Sequence, residues 1–80
     1  MVQLFFVSVL VLTTRTPALG WIQWTESYSE KKICEDIIRR DYSRIEDAVK
    51  TYLGAALKQV RQIRCSTYQE ALKMNTELGH

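Results

Sequence analysis

The residues after Ser27 predict an all-α fold: a small secreted helical hairpin or three-helix bundle, released from a cleaved signal peptide. Three observations carry this expectation. From Ser27 onward the chain has no proline, only Gly54 ahead of the terminal Gly79, and a dense supply of Glu, Lys, Arg, Gln, Ala and Leu, which is helix-forming composition. Apolar residues recur every three or four positions. No window sustains the two-residue alternation, bounded by turn residues, that marks a strand.

Residues 1–20 read as a secretory leader, leaving residues 21–80 as the mature helical domain. Leu4 to Leu12 (LFFVSVLVL) is apolar apart from Ser8. Ala18 and Gly20 then place small side chains where a signal peptidase needs them, and Pro17 ends any helix just before. The run is about half the length of the roughly 20 apolar residues that a membrane span requires, which favours a leader over an uncleaved anchor. Met1-Val2-Gln3 contributes no basic side chain to the leader's amino-terminal region.

Three capping-box patterns mark helix starts, because a Ser hydroxyl can satisfy an orphan amide while a Glu or Gln three residues on reaches back. They are Ser27 with Glu30, Ser43 with Glu46, and Ser66 with Gln69. The expected helices run over Tyr28 to Arg40, Arg44 to Arg64, and Thr67 to Glu77. Cys34, Ile38, Tyr42, Ile45, Val49, Tyr52 and Ala56 step by four and three, as in a coiled-coil seam that continues through Asp41 to Ser43. A hairpin turning there and one long helix with a partner are both compatible with this pattern.

About sixty residues beyond the leader form one domain at most, and at that length a single core is marginal without a staple, a partner or a surface. Cys34 and Cys65 are the only cysteines and are expected to be oxidised in a secreted chain. In one straight helix their separation of 31 residues would span about 46 Å, so an internal disulfide demands a fold-back. A turn near Ser43 still leaves Cys34 about 22 Å along the second helix from Cys65, and a further break at Gly54 would repair this. Pairing between chains in a disulfide-linked dimer is the alternative.

The formal charge is +2, and loss of Arg15 with the leader lowers it by one, to +1. Such a balance, with no paired zinc ligands, argues against a nucleic-acid binder. No cofactor or metal is expected, because cysteines at short spacing are absent and the single histidine, His80, is the last residue. The same inventory lacks a base near a nucleophile, so the chain reads as non-enzymatic.

Two groups of residues suggest binding. Trp21 and Trp24 sit ahead of the first cap, and Trp is favoured at interface hot spots and membrane surfaces. Ala48 to Arg64 (AVKTYLGAALKQVRQIR) carries Lys50, Lys58, Arg61 and Arg64 beside an apolar stripe and has no acidic residue. The expected function is therefore a secreted helical protein of the receptor-ligand, toxin, seminal-fluid or hormone-like kind, binding an extracellular receptor or subunit. The alternative is a membrane-active venom or defence peptide acting through a cationic amphipathic helix over 48–64. Lys31-Lys32 and Arg39-Arg40 also permit processing as a hormone precursor.

Overall fold

The computed structural model describes residues 3–15 and 18–77; Met1, Val2, Pro17, Gly79 and His80 lie outside the described residues. It corrects the all-α expectation. The chain is an α+β fold, with elements in the order β1 (Phe5–Thr13), β2 (Leu19–Tyr28), α1 (Lys31–Leu53), a 3-10 turn (Gly54–Ala56), β3 (Leu57–Thr67) and α2 (Tyr68–Glu77). The strands form one antiparallel sheet in the order β2-β1-β3, with α1 on one face and α2 on the other.

The apolar run read as a leader is the central strand. A strand covered on both faces shows an unbroken apolar run rather than alternation, and Phe5–Thr13 is rich in the β-branched and aromatic residues that suit one. Val7, Val9 and Val11 form the core beneath α1. Ser8 faces the other way, is fully buried, and its hydroxyl is hydrogen-bonded to that of Ser66 on β3. Cleavage after Gly20 would remove β1 whole and leave β2 and β3, which among the described residues pair only with β1, without a ladder.

The segment expected to be the second half of a long helix is strand β3. Its apolar residues Leu57, Val60 and Ile63 recur every three positions, which a regular strand would turn to alternating faces. Two register shifts resolve the mismatch. Thr13 pairs with Leu57 but Leu12 with Gln59, and Val11 pairs with Val60 but Leu10 with Gln62, so Lys58 and Arg61 are the extra residues of two bulges. Leu57, Val60, Ile63 and Cys65 thereby all meet the face of β1 that carries Val7, Val9 and Val11.

The expected break at Asp41 to Ser43 is a kink within one helix. Asp41 departs from helical geometry at φ −114°, ψ 26°, and α1 continues to Leu53. Glu30 stands at the N-cap without a side-chain cap hydrogen bond, so the Ser27 and Ser43 boxes start no helix. Along the proposed seam, Cys34, Ile45 and Val49 are buried, whereas Tyr42 and Tyr52 are 43% and 78% exposed. A helix packed on a sheet presents one stripe of period 3.6, and a strict heptad drifts off it.

The fold-back required by the cysteines occurs at Gly54. This residue has φ 57°, in the left-handed region, and its N–H donates to the Lys50 carbonyl to close α1. The chain then returns beneath its own helix, bringing Cys34 and Cys65 to a Cα separation of 6.1 Å, where they form a disulfide within the chain. On the far side, α2 begins with a reciprocal cap: Thr67 N–H donates to Glu70 Oε1 at 3.0 Å, and Glu70 N–H to Thr67 Oγ1 at 3.1 Å. The box lies one residue after the expected Ser66 and Gln69 because the Ser66 hydroxyl is taken by its buried hydrogen bond with Ser8.

Candidate functional site

The disulfide ties the first turn of α1 to β3, and α1 packs more closely on β3 than on β2. The inward face of β2 is consequently left partly uncovered. Ile22, Trp24 and Tyr28 touch the core yet remain only half-buried. Between them and α1 lies an open groove with two arms that share Trp24 and Ala48.

The first arm, about 330 Å³, is mainly apolar and is lined by Ile22, Trp24, Val49 and Tyr52. Tyr52 forms its wall because, at 78% exposure, its ring stands clear of the core. The second arm, about 420 Å³, runs past the Asp41 kink and gathers Glu26, Arg40, Asp41 and Arg44 around Tyr28. An apolar cleft with a few convergent polar groups is the usual form of a binding site.

Within the polar arm, Tyr28 donates from its hydroxyl to Glu26 Oε2 at 3.1 Å. Burial, and then the Glu26 carboxylate, push the phenol above its ordinary pKa, since both disfavour phenolate. The only ion pair among the described residues joins Arg39 to Asp36 outside this arm, so Arg40, Arg44, Glu26 and Asp41 share a recess without pairing. Gln23 pairs with Ser8, on the sheet face turned away from the groove, and its Nε2 is buried without a hydrogen-bond partner among the described residues.

The structure separates the binding residues expected from the sequence. Trp24 lines the groove, whereas Trp21 pairs with Leu10 on the opposite face, and its N–H donates to Asn75 Oδ1 of α2 at 3.1 Å. Lys50 is exposed near the end of α1, and Lys58, Arg61 and Arg64 are exposed along β3. No amphipathic helix spans 48–64, because α1 stops at Leu53 and the apolar half of the expected stripe is spent on the core. No helix among the described residues is long and apolar enough to cross a membrane.

Tyr52, Arg40, Arg44 and Glu26 were not legible as site residues. Tyr52 read as a seam position, and only the drift between a heptad and a 3.6-residue period hints that it would swing outward. The charged three become neighbours only when β2 and α1 pack side by side.

Fold and groove together define a small disulfide-tied α+β scaffold with one open face beside an edge strand. No protein-family model, curated protein or solved structure matches the chain.

Proposed function

We propose that the chain is a non-enzymatic extracellular binding protein that seats part of a protein partner in the groove between β2 and α1. The observation that carries this reading is the open apolar arm over Trp24 and Tyr52, beside charged groups left unpaired. Aromatic side chains offer large contact area at low entropic cost, and Arg adds directional hydrogen bonds to a partner's carboxylates or carbonyls. A disulfide in an 80-residue chain supports an oxidising location. In this reading residues 5–13 stay in the working protein as its central strand.

The test places a photo-crosslinking phenylalanine analogue at position 52 and, as a control, at position 68, where Tyr68 is 60% exposed but away from the groove. Adducts with a protein partner from position 52 alone are expected. Equal labelling from both positions, or none from position 52, would reject the groove. The intact mass of the secreted protein checks the rest: a chain beginning at Trp21 would show that the form containing β1 is not the one that works.

A further inference from the structure

The bulges of β3 do more than align its apolar residues. Each extra residue is a cation, Lys58 in one and Arg61 in the other, and Arg64 follows at the same three-residue interval. Bulges re-aim a side chain out of the regular alternation. All three cations are exposed on a strand whose outer edge is unpaired, and none forms an ion pair among the described residues. At about 3.3 Å per residue they form a row with steps of roughly 10 Å.

The row also continues past the strand. Arg64 shares a recess of about 300 Å³ with Lys31, Arg39 and Glu35, where Arg39 is paired with Asp36. Glu70 feels the same charges: the Thr67 N–H it accepts is the main cause of its lowered pKa, and Lys31 and Arg64 add to it electrostatically without pairing with it. β3 itself carries Lys58, Arg61 and Arg64 and no acidic residue, so its own charge of +3 exceeds the net charge of +2 for the whole chain.

We infer that this edge of β3 binds an extended sulfated polysaccharide, with Lys58, Arg61 and Arg64 each meeting an anionic group along its length. Choosing a polysaccharide rests on the extracellular placement proposed above, but the site itself is independent of the groove. Two features of β3 select this ligand over other anions. Leu57, Val60 and Ile63 pack against the core, so no apolar side chain of β3 is free to enter a bilayer. No aromatic residue lies between Lys58 and Arg64 on which an unpaired base could stack.

The experiment titrates the folded, oxidised chain with heparin at several salt concentrations. It compares Lys58→Gln, Arg61→Gln, Arg64→Gln with a charge-matched control, Arg15→Gln, Lys32→Gln, Lys73→Gln, both first shown by circular dichroism to retain the native spectrum. The edge variant is expected to lose about tenfold or more in affinity, and its salt slope to fall by about two to three. The control should change by less than about twofold. Equal losses in both variants would reduce the effect to net charge and overturn the proposal. So would tighter binding to phosphatidylserine vesicles or to single-stranded DNA than to heparin, or no heparin binding by the parent. Heparin binding with no crosslink at position 52 would leave this site standing while the groove fell.

Discussion

The two outer strands face the same hazard and meet it differently. An unpaired edge invites another strand, and charges, bulges or a covering element blunt it. β3 carries two bulges and the cations Lys58, Arg61 and Arg64. β2 has a single charged residue, Glu26, and its protection comes from outside the strand, where Asn75 accepts the Trp21 N–H. The groove opens beside the strand that lacks its own defences. Protection within a strand leaves a surface fixed, whereas protection by a helix side chain can be withdrawn.

The largest expected effect comes from breaking the tether that makes the two sides unequal. Replacing Cys34 and Cys65 by Ala should cost about 3–4 kcal/mol in denaturant unfolding, from the lost constraint on a loop of 31 residues. It should also free α1 to shift toward β2, seen as a change in Trp24 fluorescence.

Gly54→Ala comes next, at about 1–2 kcal/mol. A Cβ there would meet nothing within 4 Å, so the cost lies in the left-handed backbone at φ 57°. Denaturant midpoints measure it; a loss below a few tenths would mean that the turn is not held as described.

Asn75→Ala should cost about 1 kcal/mol by leaving the Trp21 amide without its acceptor. The same variant sharpens the comparison of edges, because β2 would then be open to pairing. Sedimentation should show self-association in Asn75→Ala and not in Lys58→Gln, whose bulge still guards β3. The Lys58 change should alter stability by less than about 0.5 kcal/mol.

The smallest effect is acid-dependent. Acceptance of the Thr67 N–H lowers the pKa of Glu70, its largest cause, aided by Lys31 and Arg64. A carboxyl held below its unfolded pKa stabilises above that unfolded value, and the contribution disappears as pH falls through the folded one. Unfolding midpoints of the parent should therefore decline over that acid window more steeply than those of Glu70→Gln.

Parts of α1 and α2 were legible because their cause is local. Helix-forming composition located both, the run of Glu, Lys and Arg kept the outer face of α1 solvated, and α2 begins within one residue of its expected start. The sheet was not legible, since β1 and β3 hid in two different ways. β1 is buried on both faces and so lacks alternation, and a continuous apolar run of this length is equally the pattern of a leader. β3 hides a strand under a three-residue period that only bulges against β1 can reconcile. Trp21 and Trp24 were read together, but residues three apart on a strand face opposite sides, so Trp24 lines the groove and Trp21 does not.

By itself the sequence determined that the chain must fold back between Cys34 and Cys65 if the two are joined, that Gly54 is the residue able to permit it, and that 48–64 carries cations without acids. These follow from chain geometry, glycine's backbone freedom and composition. Tertiary structure decided that Phe5–Thr13 is a central strand, that Leu57–Thr67 leaves the helix, and that one face of β2 stays open. The physical reason is that strand pairing is a long-range choice: β1 lowers its free energy only by hydrogen-bonding to residues up to about sixty positions away. No local window contains that partner.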